Sequence, residues 1–154
     1  VRISVVVVGR PKQGGLADAI ADYETRAARY WPLDVHEVRE ESSRARGSIA
    51  VMAAEAERLL ARVPSAARVV ACDPGGEALD SPTFAAWLSA ARDSATDVAF
   101  VIGGAHGLGE PVRARATRRL ALAPWTLPHE LARLVLAEQL YRAGTIVRGE
   151  PYHK

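Results

Sequence analysis

The chain has 154 residues, 49% apolar and 25% charged, with a formal net charge of +2. That length suits one domain with a substantial core and is too short for two ordinary ones, while no apolar run approaches the roughly 20 residues of a membrane span. The single cysteine, Cys72, excludes an intrachain disulfide and fits a soluble protein of a reducing cytoplasm.

The opening VRISVVVVG packs β-branched residues into Ile3 to Val8 and meets the turn residues GRPKQGG at once. It reads as a buried first strand, too short for a signal peptide with its cleavage site. Leu16, Ala19, Ile20, Tyr23, Ala27 and Tyr30 then recur at helical spacing, and Leu33 to Val38 alternates like an edge or half-buried strand. The polar stretch REESSRARGS, Arg39 to Ser48, is either a bare connection or an arm that meets RNA. Ile49, Met52, Ala53, Ala56, Leu60 and Val63 form a second helical stripe, and ARVVACDPGG is a buried strand stopped by a Pro-Gly turn.

Ser81 before Pro82 has the look of an N-cap with proline at the first helical position, opening a helix that buries Phe84, Trp87, Leu88 and Ala91. DVAFVIGG is the next strand, GEPVRARATRRL a short helix or turn region, and LALAPWTLP a strand or loop; the last helix, His129 to Ala143, starts after Pro128. This alternation predicts a single α/β domain over residues 1–154, with a mostly parallel sheet and helices on both faces. Ligands of such sheets bind outside the carboxyl ends of the strands.

The stretch FVIGGAHGLGE invites a phosphate-loop reading, but a P-loop needs a lysine followed by Ser or Thr, and here Gly109 is followed by Glu110. A dinucleotide fingerprint fails on spacing. Two readings remain: adjacent glycines that let a ligand lie against the main chain, or plain turn glycines. His106 reads as an exposed loop residue, since no second His or Cys lies at metal-ligand spacing, and no metal is expected.

From Glu110 to Lys154 there are eight Lys or Arg against four acids, a local excess of +4. The excess suits a phosphate-bearing partner and equally a solvated basic face. On a helical wheel Leu131, Val135, Glu138 and Arg142 share one face and His129, Arg133, Leu136 and Leu140 another, so the last helix is expected to be buried on two sides, in the core and against another subunit. Glu138 and Arg142 are correctly spaced and ordered for an ion pair. The closing RGEPYHK is either a frayed end or a group of side chains suited to stacking on a base and contacting phosphate.

The segments VIGGAHGL, LALAPWTLPHELARLVLAEQLYRA and RGEPYHK, in that order, resemble the RlmH family, small SPOUT-class methyltransferases that modify pseudouridine in large-subunit ribosomal RNA. The likeness covers the whole chain and is most specific in its last third. It implies a carboxyl-terminal trefoil knot, which chain-topology rules would not propose, a homodimer, and S-adenosylmethionine held by main chain of the knot loops. Carried over by position, the cofactor contacts fall on Cys72, Gly103, Leu122, Ala123, Pro124, Trp125, Thr126 and Leu127. Cys72 departs from the leucine usual in the family, and ALAPWT is more apolar than in serine-bearing relatives.

The implied reaction moves a methyl group to N3 of a pseudouridine. Glu138 and His153 are candidates for removing the imide proton, with His129 behind them; Arg142 would stabilise charge on the uracil carbonyls, Tyr152 would stack on the base, and Arg133 and Lys154 would hold RNA. The resemblance leaves open whether the tail acts in its own site or across the dimer in the partner's, and the assembled ribosome is the expected substrate. Two alternatives stand beside this reading: a SPOUT enzyme acting on transfer RNA, and a noncatalytic ribosome- or RNA-binding module.

Overall fold

Short apolar, largely β-branched runs form the strands, and the amphipathic stretches between them form helices that cover the sheet. The computed structural model describes residues 1–42, 44 and 47–154. In chain order the elements are β1 (Ile3–Val8), α1 (Gly15–Ala27), β2 (Leu33–Val38), α2 (Ser48–Leu60), β3 (Arg68–Ala78), α3 (Ser81–Asp93), β4 (Val98–Ile102), α4 (Glu110–Arg115), β5 (Arg118–Ala121) and α5 (His129–Val147), with a closing 3-10 turn at Pro151–His153. The sheet order is β2-β1-β4-β3-β5, and each of these neighbouring pairs is parallel. Parallel neighbours require crossovers, which place helices on both faces as the alternation predicts.

Every residue of β1 and β4 is buried, because each faces one of two cores. Ile3, Val5, Val7, Phe100 and Ile102 pack with Trp31, Phe84, Leu88, Leu136 and Leu140 beneath α1, α3 and α5. Val6, Val8, Val69, Ala71 and Val101 face the other way, onto Ala56 and Leu59 of α2 and Val112 of α4. Alternation along the strands divides these sets. In the first core the Phe84 and Phe100 rings meet edge-on at 5.9 Å, and the buried Trp31 indole donates to the Leu140 carbonyl at 2.9 Å, fixing α5 against the end of α1.

Several boundaries differ from the sequence expectation. In α2 the buried face is Val51, Glu55, Ala56 and Leu59, whereas Ile49 is 79% exposed. Alanines fit either side of a helix, so they left the stripe's phase loosely defined. The cap of α3 is Asp80, not Ser81: the Asp80 side chain accepts from the Thr83 amide at 2.8 Å, and the Ser81 hydroxyl donates instead to Gln139 on α5 at 2.7 Å.

The Pro-Gly turn does not stop β3. The strand continues past a bulge, its register on β5 shifting between Cys72 and Glu77. A Cβ on Gly76 would lie 2.6 Å from the Arg119 carbonyl carbon, so glycine allows the two strands to meet there. Helix α5 runs to Val147, past Ala143, and Gly144 lets it lie on Tyr30, where a Cβ would overlap the ring. Of the polar stretch between residues 39 and 48, Ser43, Ala45 and Arg46 lie outside the described residues.

Candidate active site

The carboxyl ends of β4, β3 and β5 open onto a cavity of about 580 Å³, a size ordinary for small-ligand sites. Three segments wall it: the bulge of β3, the glycine loop after β4, and the loop that leads from β5 into α5.

The glycine loop folds back on itself. Gly107 has φ +86° and donates its amide to the Gly104 carbonyl at 3.0 Å. A Cβ on Gly103 would be 2.7 Å from the Gly107 main chain, and one on Gly104 would be 2.9 Å from a Glu55 oxygen. These residues are therefore turn glycines by their own packing, and they also present bare main chain to the cavity. His106 stands exposed in the lining.

From β3, Cys72 and Asp73 reach the same cavity. Burial pushes the Cys72 thiol up to about 12, so it is a neutral apolar contact and no nucleophile. Burial also pushes Asp73 upward, but the Gly75 amide and the Arg119 and Arg113 guanidiniums outweigh it and hold the carboxyl below its ordinary range. Leu122, Ala123, Trp125, Thr126 and Leu127 line the third wall; Pro124, between them, does not. Trp125 is 77% exposed at the mouth. His129, the first residue of α5, is in the lining and sits near Gly9, whose φ is +81°.

The other expected catalytic residues form a second cluster. Glu138 lies nine residues beyond His129 on α5, about 13 Å along the axis. Its Oε1 accepts from Arg142 Nε at 3.0 Å, Arg142 Nη2 at 2.6 Å and the Tyr152 hydroxyl at 3.1 Å. The Arg142 guanidinium lies 4.9 Å from the Tyr152 ring centroid. Burial, the Tyr23 hydroxyl and the Glu138 charge all raise the Tyr152 phenol, keeping it protonated.

The tail is docked, not frayed. Tyr152 packs on Tyr141 with ring centroids 4.5 Å apart, and Tyr30 donates to Glu150 at 2.5 Å. Together with Tyr23 these are all four tyrosines of the chain. His153 and Lys154 extend exposed beyond them. Arg133 takes a different place from the RNA-facing one expected: it is only 8% exposed, bound to Glu24 by Nε at 2.7 Å and to Glu37 by Nη1 at 2.7 Å. It clasps α5 to α1 and β2.

The sequence reading passed over Asp73, Arg113 and Glu55. An acid beside Pro-Gly-Gly at a strand's carboxyl end was the available signal for Asp73. For Glu55 it was one acid on the buried side of an alanine-rich helix, now found beneath Gly104 with Oε2 accepting from the Glu41 amide at 3.0 Å. Among the described residues there is no group of three or more His, Cys, Asp or Glu able to hold a metal, and no helix long and apolar enough to cross a membrane.

The cavity combines glycine-loop main chain and apolar side chains with the charged pair Asp73 and Arg113 and with His106 and His129. A family model described as "Predicted SPOUT methyltransferase" matches residues 1–153. The chain belongs to the SPOUT methyltransferase family. Among its relatives, the protein named ribosomal RNA large subunit methyltransferase H from Gemmatimonas aurantiaca is 67% identical over 153 residues, 99% of each chain. The protein of the same name from Geobacter metallireducens is 43% identical, over 99% of this chain and 98% of its own.

At the level of fold, this SPOUT chain is similar to the structure of a probable methylase family protein from Haemophilus influenzae, with a TM-score of 0.56 and 16% identity over 99% of this chain and 70% of that one. It is likewise similar to a probable methyltransferase from Bordetella pertussis, with a TM-score of 0.54 and 17% identity over 92% and 95%. A SPOUT methyltransferase draws its methyl group from a donor.

Proposed function

We propose that the protein methylates N3 of a pseudouridine in large-subunit ribosomal RNA with S-adenosylmethionine, in the cytoplasm and on the assembled ribosome. The observation that carries this reading is the 67% identity, over 99% of both chains, with the Gemmatimonas relative named for that RNA. The donor set supports the cofactor. Gly103 and the loop from Leu122 to Leu127 offer main-chain donors and acceptors, while Ile102, Leu108, Leu122 and Leu127 offer apolar walls for an adenine ring. When bound, S-adenosylmethionine supplies a methyl group made electrophilic by its sulfonium.

The chain's own residues then hold N3 in line, take the imide proton and bear the charge left on the uracil. His129, in the cavity lining, is the proton acceptor we assign. Glu138 is already engaged, because Arg142 Nε, Arg142 Nη2 and the Tyr152 hydroxyl all donate to its Oε1. Its role is to orient Arg142 and Tyr152, the first toward a uracil carbonyl and the second for stacking on the base.

The separation of this cluster from the cavity favours a homodimer in which one protomer's Glu138, Arg142, Tyr152, His153 and Lys154 complete its partner's site. Helix α5 offers a half-open face at Leu131 and Val135 for the contact. The knotted threading of the carboxyl-terminal segment belongs to the same reading.

The test has two parts. Calorimetry should give stoichiometric binding of S-adenosylmethionine, where a noncatalytic module would give none. Mass spectrometry of ribosomal RNA from a deletion strain should lose one methylated pseudouridine; an intact mark with a lost transfer-RNA methylation would overturn the substrate.

A further inference from the structure

The basic excess of the carboxyl-terminal third resolves into individual guanidiniums with different fates. Arg118 pairs with Glu77 at 3.1 Å and lies over the Trp87 ring, and Arg115 donates to the Ser65 carbonyl at 3.2 Å. Arg113 and Arg119 instead converge on one acid. Asp73 is 8% exposed in the bulge of β3, and its Oδ2 accepts from Arg119 Nη2 at 2.9 Å and Arg113 Nε at 3.1 Å. Its Oδ1 accepts from the Gly75 amide at 2.9 Å. One carboxylate between two guanidiniums leaves a local charge of +1.

Each guanidinium directs one nitrogen at Asp73, and among the described residues neither has another hydrogen-bond or ion-pair partner. Their side chains are 42% and 48% exposed, so the remaining donors face solvent at the lip of the cavity. Gly75 makes room for one of them, because a Cβ there would be 3.0 Å from Arg119 Nη2. Two planar donor forks fixed in orientation by a buried acid match the oxygens of a phosphate.

We propose that Arg113 and Arg119, held by Asp73, grip a backbone phosphate of the RNA beside the nucleotide to be methylated. This rests on the RNA-methyltransferase reading above. S-adenosylmethionine carries no phosphate; Asp73 and Arg113 stand in the cavity lining while Arg119 lies outside it, so the fork reaches from the donor cavity outward to where the polyanion would lie. Phosphate contacts of this kind set register without reading sequence.

The test is filter binding of the full chain to large ribosomal subunits from a strain lacking the methyl mark, over a range of salt, beside calorimetry with S-adenosylmethionine. Arg119→Ala and Arg113→Ala should each weaken subunit binding about tenfold and lower the salt slope by about one. Arg119→Lys should restore the slope but only part of the affinity. Donor affinity of Arg119→Ala should stay within about twofold of the unaltered protein.

Asp73→Asn adds net positive charge yet should weaken subunit binding by releasing the fork; tighter binding in a variant that melts normally would overturn the proposal. An unchanged slope in Arg119→Ala, or a parallel fall in its donor affinity, would also overturn it. Fork-dependent subunit binding without methyl transfer would sink the proposed activity and uphold the fork. Methyl transfer with a fork-independent slope would do the reverse.

Discussion

His129 and Glu138 sit on one helix in different surroundings. His129 meets the cavity directly, while Glu138 holds Arg142 and Tyr152 through a single oxygen. His129→Ala should therefore lower kcat roughly 100-fold, and Glu138→Ala should abolish turnover while leaving calorimetric donor binding near that of the unaltered protein. Unchanged turnover in His129→Ala would remove it as the proton acceptor. Cys72 makes a separate prediction. Its thiol is raised from 9.0 to about 12 in the fold, so the unfolded chain loses its proton first as the solution becomes alkaline. The stability it contributes is full below 9.0 and is lost as pH rises toward about 12. Urea denaturation of Cys72→Ala should show a shallower alkaline loss than the native chain, and alkylation at neutral pH should be slow until the protein unfolds.

Helix α5 gathers most of the site because each of its turns has a different neighbour. Its first residue lines the cavity, Arg133 clasps α1 and β2, Gln139 meets Ser81 of α3, and Gly144 rests on Tyr30. The Gly144 contact is the tightest, so Gly144→Ala should cost about 1–3 kcal/mol and displace Tyr30 from Glu150. The measurement is a melting curve together with limited proteolysis, and the tail should be clipped earlier in the variant. The bulge of β3 matters in the same way: it carries Asp73 to the cavity without ending the strand, which resumes pairing with β5 at Glu77.

For the whole molecule, about 13 Å of α5 separates His129 in the cavity lining from the Glu138 cluster. In the proposed two-fold dimer each cavity is paired with its partner's cluster. Two inactive chains, His129→Ala and Glu138→Ala, should then complement each other. Mixed in equal amounts and allowed to exchange subunits, they should recover up to about a quarter of native activity, since half the dimers carry one intact site. Sedimentation should give twice the chain mass, and Leu131→Glu should shift it toward the monomer and lower activity. No recovery from a verified mixed dimer would return the whole site to one protomer.

The sequence by itself determined the alternation of strands and helices, the expectation of a mostly parallel sheet, and the motif-rich last third that points to the family. Those signals are local: β-branched runs, helical spacing and glycines following a strand can all be read along the chain. Only the tertiary structure decided that Asp80 caps α3, that the Asp-Pro-Gly-Gly bulge is spanned by a continuing strand, and that Arg133 is clasped by Glu24 and Glu37. It alone divided Glu110 to Lys154 into spent and available charges, leaving Arg113 and Arg119 beside Asp73. The partners in each case lie far apart in sequence, and the energy of a cap, a clasp or a buried acid depends on which distant groups the fold brings within hydrogen-bond reach.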